Sequence, residues 1–594
     1  MARNYLWQTA SKSNSVEPSY QTLICMGPYH LTLAINLSFL RTFNLLNNRF
    51  SGKIPKQVDR LFRLRHLDLT LNMLEGEIPV NLTFCMDLSF ISIGLNHLTG
   101  KIPSEIGSFR KLEYLILEKN NLTGPIPPSM GNLSSLKGFS FNENNLVGTV
   151  PEEMGRLRSL SVLAIGPNQL SGMIPPSIFN ISSMTSITIT LNAFRGIIPP
   201  AIGLNMPNLL EIGIAGNEFS GPIPASLSNA SQLQLIDIAE NNFAGQLPTS
   251  LGYLQNLWRL TMYNCNLGSD SSNDLEIISS LTNCSNLKLV DMSYNNFGGV
   301  LPKSIANLST QLTHLCVGVN PISGMIPETL PNLNNLIFLA MDGSLFTGVI
   351  PASLGKFQKL QSLNLRGNRL SGQIPSSLGN LTQLYGIDLS ANKLQGRIPP
   401  SIGNCLYLQL MAMSENIPSQ VISLYSSIWL NLSQNLLTGI LPVEVGKLKN
   451  INTLDISGNN LTGEIPETIG KCQSLEYLYL QGNLFHGMVP SSLASLRGLQ
   501  YLDLSRSNLS GQIPKDLRRL TFLIYLNLSF NNLEGEVPKE GVFRNMSAIS
   551  LDGNTKLCGG VSELQLPACP INVPKQRKSH GFKLKFTISL AAGC

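Results

Sequence analysis

Residue types that could carry out catalysis are sparse and poorly spaced in this chain. The six histidines, at positions 30, 66, 97, 314, 486 and 580, form neither H-E-x-x-H nor another metal-ligand spacing. The sequence also contains no P-loop, no glycine-rich nucleotide loop and no H-R-D or D-F-G motif. The sequence therefore predicts no enzyme activity, no cofactor and no metal site, and it places the histidines on the surface or in loops.

Residue types that anchor binding are grouped near the middle of the chain. Aromatic residues and Arg are the most frequent anchors of interfaces. Positions that hold small residues elsewhere carry large or charged side chains here, and we take these as the candidate ligand-binding residues: Asp237, Glu240, Arg259, Tyr263, Asp291, Tyr294, His314, Phe338, Asp342 and Arg366. The alternative is a solvated surface that binds no ligand.

A sequence repeat with a period of about 24 residues must position these side chains. Residues 112 to 127, LEYLILEKNNLTGPIP, show the pattern L-x-x-L-x-L-x-x-N-x-L-x-G-x-I-P. Alternating apolar residues such as Leu115 and Leu117 predict a short strand with its leucines inward. Stacked strands would form a parallel sheet whose outward side chains make one extended concave surface. The ten candidate residues belong to that surface.

The Asn of the phrase N-x-[LF] marks the units. Its side chain can both donate and accept hydrogen bonds, so stacked Asn residues are predicted to form a ladder that satisfies loop backbone groups. Ser344, Ser507 and Cys265 replace Asn and are predicted to be weaker rungs. The 21 positions are Asn48, Asn72, Asn96, Asn120, Asn144, Asn168, Asn192, Asn217, Asn241, Cys265, Asn295, Asn320, Ser344, Asn368, Asn392, Asn416, Asn435, Asn459, Asn483, Ser507 and Asn531.

Two intervals depart from the regular spacing, a long one from Cys265 to Asn295 and a short one from Asn416 to Asn435. Both are interpreted as local loop changes because the phase survives them. In the first, the missing G-x-I-P is expected to remove one lateral strand. The segment SSNDLEIISSL is predicted to form a helix capped through Ser271 and Asp274, with Leu275, Ile278 and Leu281 on one face.

Composition limits the remaining function classes. Charged residues make up 13% of the chain and the net charge is only +6, with much of it in the tail PKQRKSHGFKLK. Because no basic stripe runs through the repeats, nucleic-acid binding is not expected. The amino terminus shows no apolar h-region of a signal peptide. FTISLAAGC is too short for a membrane-spanning helix, which needs about 20 residues.

Most of the ten cysteines stand alone and are predicted to be small buried hydrophobic residues, as at Cys284, Cys405 and Cys472. Cys558 and Cys569 differ because they lie close together just beyond the last repeat. An open solenoid end needs a cap, and capped ends accompany oxidising compartments. We therefore expect a disulfide between them.

Sequons N-x-[ST] occur throughout, partly because the repeat itself spells N-L-S and N-L-T. In a secreted chain we expect glycosylation at most of them. Asn431 and Asn527 are excluded because they fall on strand positions that face the concave surface. The candidate sites are Asn36, Asn81, Asn121, Asn132, Asn180, Asn229, Asn283, Asn307, Asn380, Asn460, Asn508 and Asn545.

The phrase L-T-G-x-I-P, as in the segments ending at Pro103 and Pro466, resembles the plant-specific leucine-rich repeat. The run NCNLGSDSSNDLEIISSLTNCSNL, with YLNLSFNNLEGEVPKEGVF and NTKLCGGVSELQLPACP, resembles the extracellular part of plant receptor-like kinases of the group that includes bacterial pattern-recognition receptors. This resemblance implies an α/β right-handed solenoid of about 21 repeats with its parallel sheet on the concave face. It also implies an extracellular peptide or microbial ligand, a short leucine-rich-repeat co-receptor kinase as partner, and a place on the extracellular side of the plasma membrane.

The resemblance gives four segments: residues 1–28 without signal peptide or cap, the solenoid at 29–540, a carboxyl-terminal cap at 541–572, and a basic juxtamembrane segment at 573–594 that leads into a truncated transmembrane helix. The kinase domain of the family matches no residue here. Two alternatives stay open: a secreted cell-wall inhibitor of a microbial polygalacturonase-type enzyme, and a non-functional truncated receptor fragment. The 21 units and the basic tail favour the receptor.

Overall fold

The computed structural model describes residues 38–404 and 429–570. Its main element is a sheet of 21 short parallel strands in which each strand pairs with the strand of the next repeat. The register is strict, because Arg259 pairs with Leu235 on one side and with Leu289 on the other. The strands are Thr42–Asn44, His66–Asp68, Phe90–Ser92, Tyr114–Ile116, Gly138–Ser140, Val162–Ala164, Ser186–Thr188, Glu211–Gly213, Leu235–Asp237, Arg259–Thr261, Leu289–Asp291, His314–Cys316, Phe338–Ala340, Ser362–Asn364, Gly386–Asp388, Trp429–Asn431, Thr453–Asp455, Tyr477–Tyr479, Tyr501–Asp503, Tyr525–Asn527 and Ile549–Ser550.

This sheet forms the concave face of a leucine-rich-repeat solenoid, as the sequence predicts. The middle residue of each strand points inward, and Leu115, Leu260 and Leu363 are fully buried. The first and third residues of each strand face the concave side. Leucines of successive repeats join one core that runs the length of the described chain. No repeat could bury its leucines alone, so each depends on its neighbours for stability.

Short lateral strands follow the ladder position of each repeat and, in the described ranges, form five smaller parallel sheets of seven, three, three, four and four strands. The glycine of L-x-G-x-I-P adopts positive φ here, +84° at Gly324 for example, a conformation that glycine reaches without steric cost. The strands are Ser51–Lys53, Met73–Glu77, His97–Thr99, Thr123–Gly124, Asn145–Gly148, Gln169–Met173, Ala193–Ile197, Glu218–Gly221, Asn242–Gly245, Asn266–Leu267, Gly299–Val300, Ile322–Met325, Leu345–Thr347, Ser371–Gly372, Lys393–Gly396, Leu436–Ile440, Asn460–Thr462, His486–Met488, Asn508–Gly511, Asn532–Val537 and Lys556–Gly559.

The convex side consists of single helical turns. Most begin directly after the proline that ends the lateral strand, because proline supplies the extended backbone of the N-cap, as Pro466 does with φ −68° and ψ 135°. Among the described residues, Ile202–Asn205 and Glu276–Leu281 are α-helices. The 3-10 helices are Lys56–Arg60, Val80–Phe84, Ser104–Ser108, Pro128–Asn132, Glu152–Arg156, Ile178–Asn180, Ala225–Asn229, Thr249–Tyr253, Lys303–Asn307, Leu330–Asn332, Ala352–Lys356, Ser376–Asn380, Pro400–Asn404, Val443–Lys447, Glu467–Lys471, Ser491–Ser495, Lys515–Arg519, Gly541–Arg544, Met546–Ala548 and Ser562–Leu564.

The predicted asparagine ladder is confirmed, and Asn96 shows its pattern. Its Nδ2 donates to the Ile93 and Gly94 carbonyls of its own repeat at 3.2 and 3.0 Å. The same nitrogen donates to the Leu69 carbonyl of the preceding repeat at 3.0 Å. Its Oδ1 accepts a 2.9 Å hydrogen bond from the Leu74 amide. Asn96 therefore joins two repeats and satisfies four buried backbone groups.

The three substituted rungs make fewer hydrogen bonds, as predicted. Ser344 Oγ donates only to the Asp342 carbonyl, at 3.2 Å. Cys265 Sγ makes long contacts to two carbonyls, at 3.3 and 3.8 Å. Ser507 Oγ is buried without a hydrogen-bond partner in the described part of the chain. These repeats are joined to their neighbours more weakly than the others.

The sequence predicted a ladder rung at Asn416, and this prediction is wrong, because no rung lies between Asn392 and Asn435 in the described ladder. Asn416 itself lies outside the described residues, but strand Gly386–Asp388 pairs directly with Trp429–Asn431. Asn435 takes the next rung, since its Oδ1 accepts from the Leu394 amide at 3.1 Å. In the described ranges the ladder therefore passes from Asn392 directly to Asn435.

One rung was missed at the carboxyl end. Strand Ile549–Ser550 extends the concave sheet, and Asn554 accepts from the Leu533 amide at 3.1 Å and donates to the Leu528 carbonyl at 2.9 Å. Asn554 lacks the L-x-G-x-I-P phrase after it, which is why the sequence pattern did not include it. Segment 541–572 therefore carries one more repeat strand.

The interruption at residues 265–287 contains the predicted helix, Glu276–Leu281, and Leu275, Ile278 and Leu281 are buried. The expected loss of a lateral strand is only partial, because Asn266–Leu267 still pairs with Ala244–Gly245. It is the last strand of the seven-stranded lateral sheet, and the next lateral sheet begins at Gly299–Val300. The insertion therefore interrupts the lateral sheets and leaves the concave sheet continuous.

Asp274 holds the insertion in place. Its Oδ2 accepts hydrogen bonds from the amides of Ser269, Ser271 and Gly298 at 2.8, 3.0 and 3.1 Å. Burial would raise the pKa of Asp274, but these hydrogen bonds outweigh it and hold the pKa below its usual value. Ser271 does not cap the helix through its hydroxyl as predicted, because a turn separates it from the first helical residue, Glu276.

Candidate ligand-binding face

The ten predicted ligand-binding residues lie on or just after six of the concave strands, from Leu235–Asp237 to Ser362–Asn364. The parallel register places them in a few columns, because residues one repeat apart become neighbours across the sheet. Residues that are far apart in sequence are thereby brought into one patch. We call these ten residues the central patch.

Arg259 and Asp237 form the firmest contact of the central patch. Nη2 of Arg259 lies 3.0 Å from Oδ2 of Asp237 on the neighbouring strand, and its Nε donates to Thr261 Oγ1 at 3.0 Å. The two side chains are only 12% and 18% exposed. Burial raises the pKa of Asp237, while Arg259 opposes the shift. Arg259 is therefore largely neutralised by its partner within the protein.

Tyr263 and Tyr294 form the aromatic edge of the patch. Their rings meet edge to face, with centroids 5.3 Å apart and planes at 79°. Such pairs are favourable beyond the area that they bury. Tyr294 is 49% exposed and has φ +55°, so the backbone turns its ring outward just before the ladder residue Asn295. Of the two rings, Tyr294 presents more surface to a ligand.

Three members of the patch are far less exposed than their sequence positions predict. Asp291, His314 and Phe338 are 9%, 7% and 4% exposed. Large neighbours in the same column cover them, since the His314 ring stacks on Phe338 with centroids 6.0 Å apart. Burial also lowers the pKa of His314 to about 4. The expectation that all histidines lie on the surface or in loops is wrong for His314.

The far side of the patch contains Asp342 and Arg366, on consecutive repeats. Arg366 is exposed and Asp342 is half-buried. The Asp342 side chain lies directly over Gly318. A Cβ added to Gly318 would lie 2.5 Å from Oδ1 of Asp342. Burial raises the pKa of Asp342, and the nearby Arg366 opposes that shift. Together with the half-buried Glu240 on the opposite side, these residues offer charged groups around an aromatic centre.

A second aromatic group on the same face was missed in the sequence-based prediction. Tyr477, Tyr501 and Tyr525 begin three consecutive strands, and their ring centroids lie 5.2 and 6.1 Å apart. Asn527 Nδ2 donates to the hydroxyl of Tyr525 at 3.2 Å. The recurrence of tyrosine at the same position of three repeats could have revealed the group. A further stack on the concave face joins His66, Phe90 and Tyr114, which also begin three consecutive strands.

The predicted glycosylation sites are exposed with few exceptions. Asn36 lies outside the described residues, Asn81 is partly buried, and the other ten are exposed. The Asn81 amide donates to Asp59 Oδ2 at 2.9 Å. Asn527, excluded on sequence grounds, faces the concave side with its amide bonded to Asp503 Oδ2 at 3.1 Å. Asn431 likewise ends a concave strand.

Cys558 and Cys569 are joined by a disulfide with a Cα–Cα distance of 4.9 Å. It ties strand Lys556–Gly559 to the residues that close the carboxyl end of the described chain. Cys284 and Cys472 are fully buried, as the sequence predicts. Burial raises the pKa of both thiols to about 11, so they act as small hydrophobic groups. Cys405 lies outside the described residues.

Two kinds of structural feature are absent from residues 38–404 and 429–570. These residues contain no group of three or more His, Cys, Asp or Glu side chains arranged to hold a metal ion. They also contain no helix that is long and apolar enough to cross a bilayer.

Comparison with protein families identifies the repeat. A leucine-rich repeat region model matches residues 419–549, and a leucine-rich repeat model matches residues 111–133, 286–308, 359–381 and 383–405.

Curated relatives include the LRR receptor-like serine/threonine-protein kinase EFR of Arabidopsis thaliana, 49% identical over 89 residues, and the receptor kinase-like protein Xa21 of Oryza sativa subsp. japonica, 44% identical over 85 residues. The alignments cover 15% and 14% of this chain, and 9% and 8% of those relatives.

Solved structures extend the likeness over nearly the whole chain. The ectodomain of the plant membrane receptor kinase GASSHO1/SCHENGEN3 of Arabidopsis thaliana, solved with CASPARIAN STRIP INTEGRITY FACTOR 2, is 31% identical with a TM-score of 0.78, over 90% of this chain and 61% of that one. The Arabidopsis receptor kinase HAESA, solved with the peptide hormone IDA and the co-receptor SERK1, is 29% identical with a TM-score of 0.70, over 94% and 96% of the two chains.

Proposed function

We propose, from the premise that this chain belongs to the leucine-rich-repeat family whose members include plant receptor-like kinases, that it is the ligand-sensing extracellular part of a receptor Ser/Thr kinase in plant innate immunity. In this role it binds a peptide or other microbial ligand on its concave face and recruits a short leucine-rich-repeat co-receptor kinase. It acts on the extracellular side of the plasma membrane. The chain itself contributes recognition, and the kinase belongs to another part of the receptor.

The observation that carries this proposal is the central patch on a continuous 21-stranded concave sheet. Exposed or half-exposed aromatic and charged side chains lie together there, and such residues supply most of the binding energy of protein interfaces. Ectodomains of similar fold were solved with peptide ligands, and one of them also with a co-receptor. A rigid concave sheet suits an extended ligand because each repeat adds one row of side chains.

Exposure assigns different roles within the patch. Tyr294 and Arg366 present the most surface and are the proposed direct contacts, flanked by Tyr263, Glu240 and Asp342. The salt bridge between Asp237 and Arg259 keeps both side chains in place between these contacts. The covered residues Asp291, His314 and Phe338 support the contacts from below. We propose that glycans at the exposed sequons lie away from this patch.

Ligand capture tests the proposal. The purified chain would be immobilised and exposed to a panel of plant and microbial extracellular peptides, and retained peptides would be identified by mass spectrometry. Tyr294→Ala and Arg366→Ala should each weaken capture about tenfold or more, as expected for interface anchors. Leu191→Ala is the matched control, since Leu191 precedes a ladder Asn with φ +52° and is 54% exposed but lies outside the patch.

Equal retention by the two patch variants and the control would contradict the placement of the ligand on the central patch. Retention of no extracellular peptide by the folded wild-type chain would contradict the receptor proposal itself. Retention of a microbial wall-degrading enzyme, with inhibition of its activity, would favour the secreted-inhibitor alternative.

A further inference from the structure

On the convex side, the residue type at the last position of the 3-10 helices differs between the middle and the carboxyl end of the chain. In several repeats from the fourth onward this position holds sequon asparagines, at Asn132, Asn180, Asn229, Asn307 and Asn380. Nearer the carboxyl end it holds Lys447, Lys471, Ser495 and Arg519. Among the described residues, sequon asparagines occur at this position as far as Asn380, and three of the four later residues named here are cations. We call residues 443–450, 467–474, 491–498 and 515–522 the basic flank.

The basic flank contains seven Lys and Arg residues against three Asp and Glu, a net charge of +4. Four short segments thus carry a surplus comparable with the +6 of the whole chain. Stacking of the repeats places the four segments side by side, because each helix packs on the next. The flank is therefore a continuous positive surface and contains none of the predicted glycosylation sites.

The acidic groups of the flank are largely engaged, whereas several cations are not. Glu467 Oε2 accepts from the Ser492 amide at 3.1 Å, and Asp516 Oδ1 lies 3.2 Å from Arg519 Nη2. Four exposed cations, Lys447, Lys449, Lys471 and Arg497, form no salt bridge with any residue of the described ranges. Their charge is thus available to an external anion.

A groove crosses the flank between three successive repeats. It has a volume of about 860 Å³, and its polar lining includes Gln473, Ser495, Arg497, Arg519 and the carboxylate of Asp516, which Arg519 pairs with. Hydroxyl, amide and guanidinium groups in one groove suit a ligand rich in hydroxyl and carboxylate groups. Of the described residues, no large apolar side chain lines the groove, so its walls lack the apolar anchors typical of protein interfaces.

We propose that the basic flank binds an acidic polysaccharide, a polymer that carries a carboxylate on successive sugars. Successive helices of the flank pack against each other, so an extended polymer lying along the solenoid axis meets a new helix end at each repeat. Lys447, Lys471 and Arg497 then face its carboxylates, and Gln473 and Ser495 face its hydroxyls. The concave face stays free for another ligand.

Binding of defined polygalacturonate oligomers to the full chain tests this proposal. The triple variant Lys447→Ser, Lys449→Ser, Arg497→Ser should lose about tenfold in affinity, since each exposed ion pair contributes modestly. The double variant Arg156→Ser, Arg158→Ser is the matched control. Arg156 also ends a 3-10 helix, but Glu152 and Glu153 neutralise that segment, and it lies between two sequons. The control should change affinity less than twofold.

The proposal would be overturned by equal loss in both variants, by no loss in the triple variant, or by equal binding of a fully methyl-esterified oligomer that has no charge. Binding of polyglutamate as tight as that of polygalacturonate would also overturn it, because the flank would then recognise acidic polypeptides equally well. Support requires the charged oligomer to bind best and the affinity to fall with added salt. Tyr294→Ala leaves the flank intact, so peptide capture and polysaccharide binding fail independently.

Discussion

Arg259 and Asp237 lie on neighbouring strands with Nη2 and Oδ2 only 3.0 Å apart, and each is mostly removed from solvent. Removing one partner of a buried pair leaves the other charge uncompensated. We expect Arg259→Ala to lower the free energy of unfolding by about 3 kcal/mol at pH 7, measured by urea denaturation. Burial raises the pKa of Asp237, so the loss should shrink as the pH falls and the carboxyl becomes protonated.

Lys137→Ala provides the comparison for this pair. Lys137 Nζ lies 2.8 Å from Glu113 Oε2, but the side chains are 44% and 37% exposed. Exposed pairs contribute about 1 kcal/mol or less. Equal destabilisation by the two variants would show that burial does not distinguish the pairs.

His314 should make stability depend on pH. Its pKa in the folded chain is about 4, against an ordinary value of 6.5, because burial disfavours the charged ring. The unfolded chain therefore binds more protons between these values, and stability falls as the pH is lowered from about 6.5 toward 4. We expect His314→Asn to reduce this loss by about 3 kcal/mol at the lower end.

The measurement compares urea unfolding of the wild type and His314→Asn at several pH values. Their difference should be constant above pH 7 and shrink below 6.5. His486→Asn, at an exposed position, should leave the wild-type profile unchanged. Parallel curves for His314→Asn and the wild type at all pH values would contradict the assignment.

The weak rung at Ser507 can be repaired. An Asn there would supply the acceptor and donor that Asn483 provides one repeat earlier, where Oδ1 accepts from the Leu461 amide at 3.1 Å. We expect Ser507→Asn to stabilise the carboxyl-terminal repeats by about 1 kcal/mol, measured by urea denaturation. Asn483→Ser should destabilise them by a similar amount. Destabilisation by Ser507→Asn would show that the site has adapted to the smaller side chain.

Asp274 should control the opening of the insertion. Asp274→Asn exchanges one carboxylate oxygen for a donor and loses some of the three backbone hydrogen bonds that Oδ2 accepts. We expect faster amide hydrogen exchange at Ser269, Ser271 and Gly298, by about tenfold for a loss of about 1.4 kcal/mol. Exchange in the concave strand Leu289–Asp291 should stay unchanged, because its pairing does not involve this loop. A change that spreads to that strand would contradict a local role.

Sequence periodicity was sufficient for the main features of the fold. The spacing of Leu115 and Leu117 predicted an inward strand, and the Asn at every unit predicted the ladder that Asn96 illustrates. These features are local, because a short repeat with one apolar stripe can bury that stripe only by stacking. The repeat pattern failed at Asn416, since the ladder passes from Asn392 to Asn435, and at Asn554, where the flanking phrase is missing.

The candidate site was predicted as a set of positions, and the tertiary structure decided which of them face a ligand. Tyr294 and His314 look alike in the sequence, since both are large residues at outward positions. The positive φ of Tyr294 directs its side chain toward solvent, whereas Phe338 from the next strand covers the His314 ring. Exposure depends on the neighbour across the sheet, which belongs to the next repeat along the chain.

By itself, the sequence determined that this chain is a leucine-rich-repeat solenoid, because its repeat length and apolar period have only one way to bury the leucines. The tertiary structure decided that Arg259 is neutralised by Asp237, that Tyr477, Tyr501 and Tyr525 form a row, and that unpaired cations gather on one flank. Those outcomes depend on distances across neighbouring repeats, and a pattern read along one repeat does not contain them.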